Sequence, residues 1–203
     1  MWRAGAALSI ARLNFQRIAT TYFGQQNELA SCESRTKPQT NLRMRLALYQ
    51  PDIPQNTGTI LRLCGCLGIE VHIIEPAGFP STDRAFRRAG MDYLEAVTIT
   101  RHASWQDFEA WQRAAACRLI LFTTRAARSY LDFNFAPDDV LLFGRESAGA
   151  PEPVHAAADA RLLIPMRPGM RSLNVAIAAA LGAGEALRQT GGMPAPGGKV
   201  ASD

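Results

Sequence analysis

Short apolar runs alternate with longer amphipathic stretches from residue 44 onwards, and this alternation indicates the fold class. The apolar runs lie at residues 45–49, 70–74, 97–100, 119–122, 140–143 and 162–164. Such runs predict strands covered on both faces, as in parallel sheets. The segments between and after them predict helices at residues 54–67, 81–89, 104–116 and 174–188. Strands that alternate with helices indicate an α/β fold in which helices flank a mostly parallel sheet.

Local signals support the helix boundaries. Pro54 suits the first turn of a helix, where its missing N–H is not needed. Gly68 follows the last apolar position of the same segment and is a natural C-terminal cap. Ser104 precedes the third predicted helix as an N-cap.

The ends of the chain differ from this regular part, so we predict one domain over residues 44–190. Residues 1–43 hold six basic and two acidic residues, which accounts for the whole net charge of +4. They form either a disordered or mis-assigned extension, since Met44 is an alternative start, or a transit peptide. The Gly- and Pro-rich residues 191–203 predict a disordered tail.

Composition and missing motifs exclude several classes. Of the 203 residues, 47% are hydrophobic and 20% charged, and no apolar run approaches the roughly 18 residues of a membrane span. The four cysteines form no CxxC pair and the three histidines are scattered, so we expect no metal, reduced thiols and a cytoplasmic location. There is no GxxxxGK[ST] loop and no GxGxxG after the first strands.

Three loops that combine arginine with Ser, Thr, Gly or Pro follow predicted strands, at residues 123–129, 144–151 and 165–174. Each loop alone is readily explained as a turn. In parallel sheets, however, ligands bind at the carboxyl ends of the strands. Three such loops on one edge therefore predict a ligand site.

Three motifs make the chain recognisable. They are PDIPQNTGTILRLC at residues 51–64, LLFGRESAGAP at 141–151 and IPMRPGMRSLNVAIAAA at 164–180. Together they resemble the SPOUT class of S-adenosylmethionine-dependent RNA methyltransferases, the α/β knot fold. The opening YQPDIPQNTG and the later HIIEP and RRAGMDY are most similar to the small branch that methylates the wobble nucleotide. That branch acts on the 2′-oxygen of cytidine or modified uridine 34 in leucine tRNAs.

The resemblance implies a deep C-terminal trefoil knot and a homodimer whose active sites are completed by the second subunit. It also implies S-adenosylmethionine as cofactor and the tRNA anticodon stem-loop as partner. Matched position by position, the cofactor would be held, largely by backbone groups, near Phe122, Gly144, Ile164, Ser172 and Leu173. Phe122 stands where the family has an aliphatic residue, which leaves a backbone role intact.

The resemblance also implies the catalytic residues. Arg62 matches the arginine that the family places at the 2′-hydroxyl. A guanidinium stays protonated at neutral pH, so we interpret Arg62 as stabilising the developing alkoxide rather than as the base. Asn56 would orient Arg62 or a phosphate, or serve as a helix N-cap. Glu146 would fix its loop or take part in catalysis, and Asn174 would bond the cofactor or ribose, or cap the last helix.

Charge outside residues 1–43 is balanced, so RNA binding must depend on local arginine clusters. The candidates are Arg84, Arg87 and Arg88, then Arg125 and Arg128, then Arg167 and Arg171. Solvated surface charge explains each cluster equally well. Two other functions remain open: 2′-O-methylation of another tRNA position or of rRNA, and a non-catalytic RNA-binding dimer that keeps the knot.

Overall fold

The computed structural model describes residues 44–80, 84 and 96–195 of the chain. The strands are β1 (Arg45–Tyr49), β2 (Glu70–Ile74), β3 (Ile99–His102), β4 (Leu119–Phe122), β5 (Arg128–Ser129), β6 (Val140–Phe143) and β7 (Ala160–Leu163). The helices are α1 (Pro54–Leu67), α2 (Trp105–Ala115), α3 (Glu152–Ala157) and α4 (Val175–Thr190), and a 3-10 turn spans Tyr130–Asp132.

Within these ranges the strands form one sheet in the order β3-β2-β1-β6-β4-β7-β5, and every neighbouring pair is parallel. β1 pairs with both β2 and β6, and β6 pairs in turn with β4. The predicted α/β class with a parallel sheet is confirmed. All carboxyl ends of parallel strands face one edge, so the loops after β1, β4, β6 and β7 lie on the same edge.

Helices cover both faces of the sheet. Alternate residues of β4 and β6 belong to two separate apolar clusters, Ile120 and Leu141 to one and Leu121 and Leu142 to the other. The first cluster includes buried residues of α1 and α4, and the second includes buried residues of α2 and α3. β4 and β6 are buried along their whole length, as the continuous apolar runs predicted.

Helix ends follow the predicted signals. Pro54 is the first residue of α1, and Gly68 ends the helix with a φ of 69°. The Ser104 side chain accepts a hydrogen bond from the Asp107 N–H at 3.1 Å. Such an N-cap contributes about 1 kcal/mol. The alternative role of Asn56 as an N-cap was wrong: Ile53 is the N-cap of α1, without a side-chain cap bond, and Asn56 lies within the first turn of the helix.

Two strand boundaries were wrong, and two elements were missed. β3 lies at residues 99–102 rather than 97–100, where its backbone pairs with residues 71–74 of β2. β7 spans 160–163 rather than 162–164. The two-residue β5 and six-residue α3 are too short to give a periodic pattern.

The described residues bear on membrane-spanning helices and on the state of the cysteines. No helix among them is long and apolar enough to cross a membrane. Cys64, Cys66 and Cys117 are free. The interpretations of residues 1–43, of the helix at 81–89 except Arg84, and of the tail beyond residue 195 lie outside the described residues.

Candidate active site

The strand-end loops converge on a cavity of about 540 Å³. Its walls come from the ends of β4 and β6, the loops that follow them, the segment after β7, and the N-terminal ends of α1 and α4. All five residues predicted to hold the cofactor line it: Phe122, Gly144, Ile164, Ser172 and Leu173. The structure therefore brings this set together, and its role in binding stays a prediction.

Phe122 supplies an aromatic wall at the end of β4. Its ring stacks on Phe143, with centroids 4.9 Å apart and planes at 19°. The other side of the ring approaches α4 so closely that a Cβ on Gly182 would lie 2.7 Å from its Cζ atom. Glycine in the middle of α4 thus accommodates the larger side chain at position 122.

Gly144 begins a tight loop that forms the backbone wall of the cavity. Arg145 and Gly149 exchange backbone hydrogen bonds of 3.1 and 2.7 Å, and Gly149 adopts a φ of +70°. A Cβ on Gly144 would lie 2.6 Å from both the Gly149 carbonyl carbon and the Ala150 nitrogen. Position 144 therefore requires glycine, since a side chain would open the loop.

A chain of side-chain hydrogen bonds joins the three motifs beside this cavity. Glu146 accepts from the Asp52 backbone N–H at 3.1 Å and from Asn56 Nδ2 at 3.2 Å. Asn56 Oδ1 accepts in turn from Asn174 Nδ2 at 2.9 Å. Asn174 Oδ1 accepts from the Ala176 N–H at 2.8 Å and so caps α4. The predicted loop-fixing and capping roles are both observed, and three predicted residues form one junction.

Two carboxyl groups lie together at this junction. Burial raises the pKa of Glu146, and the neighbouring Asp52 carboxyl raises it further. For Asp52 burial acts in the same direction, but hydrogen bonds with Glu146 and Ser147 outweigh it and lower the pKa. The Arg145 guanidinium, 4.0 Å from the Asp52 carboxylate, adds to this lowering. The two pKa values therefore shift in opposite directions, that of Glu146 upwards and that of Asp52 downwards.

Arg62 lies apart from this junction. It is exposed on α1, six residues beyond Asn56, which corresponds to about 9 Å along the helix axis. Arg62 is not among the described residues that line the cavity. A single protomer thus assembles the proposed cofactor pocket without Arg62.

The arginines predicted to bind RNA fall into different environments. Arg125 and Arg171 line the cavity, and Arg125 pairs with Glu152 at 2.9 Å. Arg128 lies over the Phe133 ring, 4.9 Å from its centroid, and donates to a backbone carbonyl. Arg84 and Arg167 are exposed. Arg87 and Arg88 lie outside the described residues.

Sequence reasoning missed Asp52 and His155. Asp52 lies in the first motif, where its contact with the second motif depends on a residue 94 positions away. His155 lies four residues after the second motif, is buried, and lines the cavity. The described residues contain no group of three or more histidine, cysteine or acidic side chains suited to a metal ion.

Comparison with known proteins defines the class. Residues 43–183 match the SpoU rRNA Methylase family. This match covers well over half of the chain and includes all three motifs and every element of the site. The chain belongs to this family, and is thus a methyltransferase.

The names of similar proteins are more specific than that of the family. A tRNA (cytidine(34)-2′-O)-methyltransferase of Beijerinckia indica is 66% identical over 148 residues, covering 73% of this chain and 92% of the relative. The protein of that name from Escherichia coli is 39% identical over 150 residues, covering 73% and 94%.

Solved structures share the fold. One, described as giving insight into the 2′-OH methylation of C/U34 on tRNA, has a TM-score of 0.69 at 40% identity. It covers 72% of this chain and 95% of that chain. An AdoMet-bound rRNA methyltransferase from Sinorhizobium meliloti has a TM-score of 0.68 at 30% identity, covering 72% and 56%.

Proposed function

We propose that this protein is an S-adenosylmethionine-dependent methyltransferase of the ribose 2′-hydroxyl at the wobble nucleotide of tRNA, in leucine tRNAs. The observation that carries the proposal is the Glu146–Asn56–Asn174 junction, which joins all three motifs beside one cavity. The similarity to cytidine(34) methyltransferases along nearly their whole length supports this target.

The cavity suits the cofactor. Its volume of about 540 Å³ lies within the usual range for small-molecule sites. Gly144 allows the loop that forms one wall to close tightly, since a Cβ there would collide with the backbone of Gly149 and Ala150. We assign the cofactor to Phe122, Gly144, Ile164, Ser172 and Leu173.

The residues around the cavity would then have separable roles. When bound, the cofactor supplies an already activated methyl group, so the protein must position the hydroxyl and stabilise the charge that develops on its oxygen. Arg62 would stabilise that oxygen as a fixed cation. Asn56, Glu146 and Asn174 would hold the three motifs in register.

We propose a homodimer in which Arg62 of one protomer serves the cavity of its partner. This is supported by the position of Arg62 outside the cavity of its own protomer. A row of exposed apolar side chains supports it further: Leu173, Ile177 and Leu181 recur every four residues and are 39%, 53% and 40% exposed. Ile53, 41% exposed, adds to them beside the same cavity. Exposed apolar surface of this kind is typical of association sites.

We propose further that the C-terminal part forms a trefoil knot, as the family resemblance implies. The order of the sheet supports this, because β6 inserts between β1 and β4 before the chain returns to the opposite side of β4 as β7. α4 then packs against α1 near the start of the domain.

For RNA, we assign the exposed or cavity-lining arginines Arg84, Arg125, Arg167 and Arg171 to phosphate contacts, with Arg87, Arg88 and Arg128 as further candidates. Such contacts would make tRNA binding salt-dependent. The anticodon stem-loop is the expected ligand.

The test is methyl transfer from radiolabelled S-adenosylmethionine to tRNA from a strain that lacks its own wobble methylase, followed by mapping of alkali-resistant linkages. Label confined to the wobble nucleotide supports the proposal. Label at another tRNA position or on rRNA would retain the chemistry and change the target. If the protein binds the cofactor but transfers label to neither RNA, a prerequisite modification is missing or the substrate is another RNA. Failure to bind the cofactor as well would favour the non-catalytic RNA-binding dimer.

The Arg62→Ala variant tests the assigned chemistry. We expect it to lose nearly all turnover while its affinity for the cofactor, measured by calorimetry, stays within a few-fold of the original. Loss of cofactor binding in this variant would contradict the role assigned to Arg62.

A further inference from the structure

His155 is an unusual component of the cavity wall. It lies on the short helix α3, is only 3% exposed, and lines the cavity together with Arg125 and Ala150. Its Nε2 atom is buried and has no hydrogen-bond partner among the described residues. Buried side-chain nitrogens nearly always have such a partner, so this one requires an explanation.

The other ring nitrogen identifies the tautomer. The Ala150 backbone carbonyl acts on the imidazole as an acceptor, which raises its pKa, and because Nε2 is unpartnered, we assign the donor to Nδ1. Burial lowers the pKa of His155, and the charge of Arg125 lowers it further. The ring is therefore neutral at neutral pH, and Nε2 presents a lone pair that only accepts a hydrogen bond.

A buried acceptor without a partner destabilises the folded protein. The imidazole thus carries a cost in the free protein that a ligand with an N–H or O–H group would remove.

The charge around His155 restricts which hydrogen-bond donor of a ligand could bind to Nε2. Of the groups on S-adenosylmethionine, the α-ammonium, the exocyclic amine of adenine and the ribose hydroxyls donate hydrogen bonds. Arg125 and Arg161 place positive charge near the ring, and Glu152, which pairs with Arg125, offsets it only in part. A further cation is therefore disfavoured there, and the uncharged donors of the adenosine half remain.

We propose that His155 Nε2 is a specificity contact that accepts a hydrogen bond from the adenosine half of the bound cofactor, either from the adenine amine or from a ribose hydroxyl. This inference rests on the proposed function, because it takes S-adenosylmethionine as the ligand of the cavity. It adds a side-chain contact to a site otherwise assigned largely to backbone groups.

The experiment measures the affinity of S-adenosylhomocysteine and of three analogues by calorimetry. One analogue carries inosine in place of adenosine, and the others lack the ribose 2′- or 3′-hydroxyl. The wild-type protein should bind one of the three about five- to tenfold more weakly than the parent, the usual effect of one lost hydrogen bond. His155→Leu should bind the parent weaker by a similar factor and should no longer discriminate against that analogue.

His155→Gln is the matched variant, because its amide oxygen reaches the position of Nε2 and accepts a hydrogen bond. It should restore both the affinity and the discrimination. Chemical unfolding of ligand-free His155→Leu should show a stability close to that of the wild type, since removal of the unpartnered nitrogen offsets the loss of the contact with the Ala150 carbonyl. If this variant does not fold, His155→Met replaces it, because methionine adapts to irregular space.

The outcomes separate this inference from the function on which it rests. If the leucine variant binds the parent as tightly as the wild type does, or keeps the same discrimination, the contact with His155 is wrong and the cofactor assignment stands. If the wild-type protein binds neither the parent nor S-adenosylmethionine, the cofactor assignment itself fails.

Discussion

The contact between Phe122 and Gly182 gives a sharp test of how tightly the cavity wall is packed. In Gly182→Ala the new Cβ would lie 2.7, 3.0 and 3.2 Å from three ring carbons of Phe122. The ring has little room to withdraw, because it is 7% exposed and stacks on Phe143. Overpacking of this kind costs roughly 1–3 kcal/mol.

Helix propensity acts in the opposite direction. Alanine is favoured over glycine inside a helix by roughly 0.5–1 kcal/mol. The net expectation for Gly182→Ala is therefore destabilisation by about 1–2 kcal/mol. Gly184→Ala in the same helix is the control, because a Cβ there meets nothing within 4 Å among the described residues. It should stabilise the protein by roughly 0.5–1 kcal/mol.

The assay is urea unfolding of both variants at two protein concentrations, since association with a partner subunit would alter apparent stability. Phe122→Leu should reduce the penalty of Gly182→Ala, with a coupling energy of about 1 kcal/mol in the double-mutant cycle. Because Phe122 lines the cavity, Gly182→Ala should also weaken cofactor binding. Equal stabilisation by Gly182→Ala and Gly184→Ala would refute the close contact.

Three further predictions concern other parts of the protein. Asn174→Ala should lower stability by about 1 kcal/mol, because α4 loses its cap, and should also lower turnover. Asn174→Ser should recover the stability but not the turnover, because serine caps the helix without reaching Asn56. Unchanged turnover in both variants would contradict a role of the Glu146–Asn56–Asn174 junction in catalysis. Ile177→Glu should give monomers by light scattering and lose methyl transfer while retaining cofactor binding; an unchanged mass would exclude this dimer surface. Burial lowers the pKa of His72 to about 4, so the contribution of His72 to stability should be constant above about pH 6.5 and fall by about 3 kcal/mol between pH 6.5 and pH 4, as the unfolded chain takes up the proton that the native ring resists. Burial also lowers the pKa of the neighbouring His102, which acts in the same direction. A pH series of unfolding curves should show this loss, and His72→Leu should remove most of it.

The last of these predictions depends on a cluster that the sequence did not reveal. His72 Nδ1 lies 2.8 Å from His102 Nε2, and the His72 ring lies 4.0 Å from that of Trp111. The three residues come from β2, β3 and α2, so no spacing along the chain relates them. The scattered positions of the histidines argued against a metal site, but they gave no indication that two of the three rings are neighbours.

Much of the candidate site was nevertheless predictable. Phe122, Gly144 and Ile164 end or follow apolar runs, so the rule for parallel sheets places them on one edge, and the cavity is found there. Their assignment to a cofactor came from the resemblance of the three motifs. The separation of Arg62 from the cavity was not predictable from position, because it depends on which side of α1 faces the sheet.

The sequence by itself determined the α/β class, the main strands and helices, and the family. Apolar periodicity and helix caps are local properties, and the motifs are read directly from the chain. Only the tertiary structure decided that Glu146, Asn56 and Asn174 form one hydrogen-bonded junction, and that Gly182 meets the Phe122 ring. These contacts join residues 60 to 118 positions apart. Their geometry is fixed by how the helices pack on the sheet, which no local pattern records.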